Sequence, residues 1–149
     1  MQDSIERTIE LKAPIERVWL AISDHEQFGA WFRVALDGPF VEGEIQTGRI
    51  TYPGYEHLQW RVHVEAVEEP RRLAFRWSPY NDQPEPDGPT TLVEMKLEAT
   101  ASGTRVTFVE SGFSTLPDDA RRLEAFRLNS GGWDEQVENI GGYLESSAS

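Results

Sequence analysis

Between residues 58 and 66 apolar and polar side chains change places at every step, with Leu58, Trp60, Val62, Val64 and Ala66 on one parity and Gln59, Arg61, His63 and Glu65 on the other. Successive side chains of a strand point to opposite faces, so this run predicts a β-strand with one face buried and one in water. The period recurs in Leu73, Phe75 and Trp77 against Ala74, Arg76 and Ser78, and in Thr91, Val93, Met95 and Leu97 against Leu92, Glu94, Lys96 and Glu98. A last strand is expected over 104–111. One-sided alternation belongs to antiparallel sheets, because parallel sheets are covered on both faces. Turn-forming residues at Glu69-Pro70, in 78–90 and at Ala101-Ser102-Gly103 link the strands as a meander. The segment 78–90 reads as a mobile loop within one domain, not as a linker between two.

Helical signals flank the sheet. Ile5, Ile9 and Leu11 give a first strand over 4–12, interrupted on its apolar side by Arg7. Pro14 suits the first turn of a helix, and Ile15, Val18 and Ile22 recur at three and four. Ser23 or Asp24 can cap a second short helix carrying Phe28 and Trp31, weakened by Gly29. Near the other end Asp118 can cap a long helix whose inward stripe is Leu123, Phe126, Ser130, Trp133, Val137, Ile140 and Leu144. Gly131-Gly132 cost about 1 kcal/mol each relative to Ala inside a helix, so a kink or break is expected near 129–132. A chain of 149 residues is one domain by size. Residues 1–145 are assigned to it, and the serine-rich 146–149 to a disordered tail.

Composition removes several classes of function. A formal charge of −12 opposes a sequence-independent grip on nucleic acid or on anionic membranes, both of which need a positive surface. With no cysteine there are no disulfides, thiolate zinc sites or cysteine nucleophiles. The longest apolar run, Val18 to Ile22, is far too short to span or insert into a bilayer, so a cytoplasmic protein is expected. His57 and His63 would lie about 20 Å apart on an extended segment and cannot share a metal. His63 falls on the polar parity and His25 at a helix start, so all three histidines read as surface residues. Glu68-Glu69 and Asp118-Asp119 read as a solvated turn and a helix N-terminus. No G-x-S-x-G elbow, phosphate loop or dinucleotide fingerprint occurs.

The order of strand, two short helices, further strands and a long C-terminal helix is carried by recognisable motifs. Ala13-Pro14-Ile15-Glu16-Arg17-Val18-Trp19 resembles the APxxxVW start of the START-like superfamily (polyketide cyclase/lipid-transport, SRPBCC). The stretch from Val64 to Trp77, VEAVEEPRRLAFRW, is similar to its VxxVEPPRRLxFxW hairpin. Gly112-Phe113 and the stretch from Gly132 to Glu145, GWDEQVENIGGYLE, resemble the GF and GWxxxLxxLxxYLE signatures of the branch named after the heat-shock ATPase activator. Val137 and Ile140 stand where leucines are commoner. The resemblance covers nearly the whole chain. It implies an α+β helix-grip fold, a curved antiparallel sheet of about six or seven strands around the long C-terminal helix, with two short helices after the first strand. It also implies a cavity for apolar molecules. Some relatives regulate a chaperone ATPase, and some superfamily members are aromatase/cyclases.

Trp60, Phe75, Trp77, Met95, Phe108, Phe126 and Trp133 converge between sheet and helix if these parities hold. Ser130-Gly131-Gly132 leave volume there that the aromatics must fill or line. An ordinary aromatic core is the plainer reading of any one ring. Glu110 continues the inward parity of Val106 and Phe108, and a carboxylate so placed needs a partner or water. Arg7 or Arg49 could pair with it, it could sit at the sheet rim, or it could anchor a ligand's polar group. The candidate ligand-binding set is Trp60, Val62, Phe75, Trp77, Met95, Phe108, Glu110, Phe126, Ser130 and Trp133, with Trp31, Phe40 and Tyr80 near the entrance. The leading expectation is non-enzymatic binding of a small apolar or amphipathic ligand by a monomer or homodimer, with no cofactor, no metal and no catalytic residue assigned. A cyclase or dehydratase using Glu110 or an arginine is the second reading, although no paired acid–base set is visible. A co-chaperone-like module acting on a heat-shock ATPase is the third, without a second domain or a basic docking patch.

Overall fold

Pro14 ends the first strand and opens the first helix, and the elements then follow the order the motifs imply. The computed structural model describes residues 3–80 and 88–147. Strand β1 (Ser4–Leu11) leads into α1 (Ile15–Ser23) and α2 (His25–Phe32). The sheet continues through β2 (Val34–Leu36), β3 (Ile45–Ile50), β4 (Gln59–Glu68), β5 (Arg72–Trp77), β6 (Thr91–Thr100) and β7 (Gly103–Ser111), and α3 (Asp119–Ser147) closes the chain. All seven strands form one antiparallel sheet in the order β1-β7-β6-β5-β4-β3-β2. Every alternating run named above is a strand, and β2 and β3 add a short edge hairpin.

The sheet curves around α3. A register shift between Val64 and Ala66, opposite Phe75 and Ala74, bends β4 where the sheet turns. Asp24 caps α2 by accepting from the Gln27 N–H, and Asp118 caps α3 by accepting from the Arg121 N–H. Helix α2 ends on Arg33 in the left-handed region, which swings the chain straight into β2. That turn brings the Val34 carbonyl against Gly29, where an added Cβ would collide with its oxygen. Gly29 is therefore required by the close approach, rather than being only a weak point in the helix. Gly29→Ala is expected to cost about 1–3 kcal/mol. Gly131→Ala, where a Cβ meets nothing within 4 Å, should gain up to about 1 kcal/mol. Urea denaturation midpoints of the two variants test the contrast.

Two expectations for α3 are corrected. The helix runs unbroken through Gly131-Gly132, because its backbone ladder needs no side chain and packing against the sheet outweighs the propensity cost. Its inward stripe also differs at the N-terminal end: Leu123 is 57% exposed, while Ala125 is buried. Trp133, Ile140 and Leu144 of the expected stripe are buried, Phe126 and Val137 pack half-buried against the core, and Asn129 and Ser130 are both half-buried. At 3.6 residues per turn 129 and 130 flank 133, about 40° to one side and about 60° to the other. The helix reaches Ser147, past the expected boundary at 145; residues 148–149 and the segment 81–87 of the predicted mobile loop lie outside the described residues. Among the described residues no helix is long and apolar enough to cross a membrane.

Candidate functional site

Glu110 is fully buried near the C-terminal end of β7. Antiparallel register places Trp77 opposite Thr91 at the β5–β6 pair and Glu110 opposite Val93 at the β6–β7 pair, so three adjacent strands bring these side chains together. Helix α3 adds Asn129 and Trp133 from above. The Glu110 carboxylate accepts from Trp77 Nε1 at 2.8 Å, Thr91 Oγ1 at 2.5 Å and Trp133 Nε1 at 2.9 Å. Asn129 Nδ2 lies 3.2 Å from each of its oxygens. Burial pushes the Glu110 carboxyl above the usual carboxylate range, and the bonds from Thr91, Trp77, Trp133 and Asn129 pull the other way.

Of the alternatives for Glu110, the ion pair with Arg7 or Arg49 does not form. Arg7 turns to α3, where it donates to Asp134 Oδ1 at 2.6 Å and to the Ser130 carbonyl. Arg49 is exposed on β3. Glu110 instead meets neutral donors alone among the described residues, and this explains how an acidic group can sit in an apolar core without a cation.

Beside this hub lies a cleft of about 580 Å³. One wall is sheet: Trp60 on β4, then Trp77, Ser78, Pro79 and Tyr80 at and beyond the end of β5. The opposite wall is α3, through Leu128, Asn129, Gly131, Gly132, Trp133, Gln136 and Asn139. Phe32 and Arg33 close one end, and Tyr52, Tyr55 and Leu58 of the β3–β4 connection form a third side. A Cβ at Gly131 or Gly132 would enter open space, so the helix presents bare backbone here. The walls are rigid because the rings lock together: Trp77 and Trp133 have centroids 5.9 Å apart, Phe108 backs Trp133 at 5.7 Å, and Phe75 backs Trp77 at 5.5 Å. Trp60 Nε1 is buried without a hydrogen-bond partner among the described residues, a cost the wall carries. Gln136 ties α3 to α2 by donating to the Phe32 carbonyl at 3.1 Å.

The ten sequence-derived candidates separate into groups. Trp60, Trp77 and Trp133 line the cleft. Val62, Phe75, Met95 and Phe108 are buried in the core behind it. Glu110 is held behind the two indoles and Asn129. Phe126 packs half-buried against the core and the ring of Phe113, and it and the half-buried Ser130 border a second hollow with residues 3–7 rather than the cleft. Of the proposed entrance residues, Tyr80 lines the cleft, whereas Trp31 and Phe40 are core. His57 and His63 are exposed and His25 is partly exposed, and no group of three metal-ligating side chains occurs among the described residues. Sequence reasoning passed over Phe32, Asn129, Gln136, Asn139 and the pair Tyr52 and Tyr55. The tyrosines flank a Pro-Gly turn, are both exposed and pack on each other, with Arg33 over the ring of Tyr52.

A curved antiparallel sheet gripping a C-terminal helix, with an aromatic cleft between them, defines a START-like helix-grip protein. The model of the family described as Activator of Hsp90 ATPase homolog 1-like protein matches residues 12–145, and the chain belongs to that family. Among solved structures it is similar to DynU16, a protein in the dynemicin biosynthetic locus, at 24% identity and a TM-score of 0.76. That match covers 97% of this chain and 48% of DynU16, so the chain spans about half of that protein's length. A protein from Arthrobacter aurescens is similar at 20% identity and a TM-score of 0.77, over 97% of this chain and 87% of the other. Protein MLL2253 from Mesorhizobium loti matches at 19% identity and a TM-score of 0.76, over 97% and 98%. At such identities the likeness is one of fold. No curated protein matches the chain.

Proposed function

We propose that this protein binds a small apolar or amphipathic molecule in the cleft between sheet and α3, and that it does so without chemistry. The observation that carries this reading is the slot of about 580 Å³ between Trp60 and Trp77 on the sheet and the bare backbone of Gly131 and Gly132 on α3, with Trp133 beside the glycines, a volume in the range of small-molecule sites. Flat rings on one side and missing side chains on the other leave a slot suited to an unsaturated or otherwise flat ligand. The non-enzymatic part rests on Glu110. It lies behind the wall with its oxygens engaged, and the only carboxylate among the described lining residues is Glu135, with no histidine beside it. The cyclase and co-chaperone readings find no comparable support in the geometry.

The test is a titration with N-phenyl-1-naphthylamine. Three of the five tryptophans line the cleft, so saturable one-to-one binding should quench intrinsic fluorescence with a Kd in the micromolar range. Tryptophan emission that stays unchanged up to the solubility limit of the probe would remove the binding reading and leave an aromatic core.

A further inference from the structure

Three side-chain amides of α3, Asn129, Gln136 and Asn139, line the cleft. Gln136 is used at both ends, donating to the Phe32 carbonyl and accepting from Asn139 Nδ2 at 3.2 Å. Asn139 keeps one N–H as well as its carbonyl among the described residues, so it can answer a donor or an acceptor. Asn129 is different. One N–H of its Nδ2 reaches the Pro79 carbonyl at 3.1 Å, and the other is shared by the two Glu110 oxygens. Both partners are acceptors, so the amide has one permitted orientation: turning it over would set its carbonyl oxygen against a carbonyl and a carboxylate. Oδ1 is left without a partner among the described residues, on a side chain that lines the cleft beside Trp77 and Trp133.

We infer that Asn129 is a specificity-determining residue of the cleft, and that the molecule bound there carries a hydroxyl or N–H that donates to Asn129 Oδ1. Glu110 is the positioning residue, since it fixes the amide without touching the ligand. The inference rests on the binding reading above and narrows it. A flat apolar compound with a hydrogen-bond donor at its edge is preferred over the same compound with that donor capped, because the capped compound would leave the amide oxygen desolvated and unpaired. Apolar transfer alone ranks such a pair the other way, since the capping methyl adds hydrophobic area.

The experiment measures displacement of N-phenyl-1-naphthylamine by 2-naphthol and by its methyl ether, 2-methoxynaphthalene, in the parent protein, in Asn129→Leu and in Asn129→Ala. The parent should bind 2-naphthol about five- to tenfold more tightly than the ether, as one net hydrogen bond gives. Both variants should lose this ratio and favour the ether or bind the two alike. The ratio within each protein is read rather than either affinity, so a general loosening of the cleft does not imitate the result. If the parent shows no preference, or a variant keeps it, Asn129 does not select the ligand and the inference is overturned while the binding reading stands. If the parent binds neither naphthalene compound nor the displaced probe, the binding reading fails and takes this inference with it. A parent without the preference overturns the inference even should both variants unfold.

Discussion

Glu110→Ala is expected to lower stability by about 3–5 kcal/mol, the largest loss from a single polar substitution in this protein. The change removes the acceptor of two buried indole N–H groups, the Thr91 hydroxyl and the Asn129 amide, and opens a void among Trp77, Phe108 and Trp133. At this chain length each kcal/mol is about 2–4 °C, so the melting temperature should fall by roughly 10 °C. Glu110→Gln keeps the volume but sets an NH₂ against an indole N–H, which cannot accept, and should cost about 1–3 kcal/mol. The pH dependence separates the two forces on this carboxyl. Burial raises its folded pKa above the unfolded value, so the folded state holds the proton more tightly. Stability from this group is then greatest below the ordinary carboxylate range and declines as pH rises through the raised value. The stability gap between parent and Glu110→Gln should therefore widen on acidification from neutral pH. A gap that narrows in matched denaturation curves would mean that the donors outweigh burial.

Gly132→Leu is expected to weaken binding of N-phenyl-1-naphthylamine more than tenfold while leaving the fold as stable as the parent or up to about 1 kcal/mol more stable. Binding and stability part here because a Cβ at this site meets no heavy atom within 4 Å, and the longer side chain extends into the cleft instead of into the core. A leucine would occupy much of the slot facing Trp60 and Trp77. Fluorescence titration and urea denaturation on one preparation read both effects. Undiminished probe affinity would place the bound molecule elsewhere, for instance in the hollow bordered by Phe126 and Ser130. A large loss of stability would mean that the helix needs its bare face for packing.

Much of this architecture was legible because its signals are periodic. Alternation over 58–66, 73–78 and 91–98 depends only on which face is wet, and all three became strands. The caps at Asp24 and Asp118 were readable for the same local reason. The inward direction of Glu110 followed from parity with Val106 and Phe108, but its partners did not. They come from three other elements, and no local pattern says that Trp77 and Trp133 will turn their N–H edges to one carboxylate. The stripe on α3 failed at Leu123, which is exposed, and Asn129 was passed over because a polar residue flanking the stripe carries no periodic signal. The cleft was anticipated between sheet and helix, yet the rings closed much of that space and left it along the flank of α3, bounded by the β3–β4 connection. Packing of large side chains decides such a displacement, and packing has no period in the sequence.

The pairing of β1 with β7 has a consequence in time. Ser4 lies opposite Ser111 and Leu11 opposite Thr104, so during synthesis the first strand of this sheet waits for its last. While the chain grows, β1 has no neighbour, and Phe28, Trp31 and Phe32 of α2 lack the sheet and α3 against which they are buried. Closing so distant a pair is slow for entropic reasons, and the interval before closure is when exposed strand edges and aromatic surface find wrong partners. Shortening the N-terminus by even a few residues of β1 would leave the β7 edge open in the finished molecule, turning a delay in synthesis into a permanent site for aggregation.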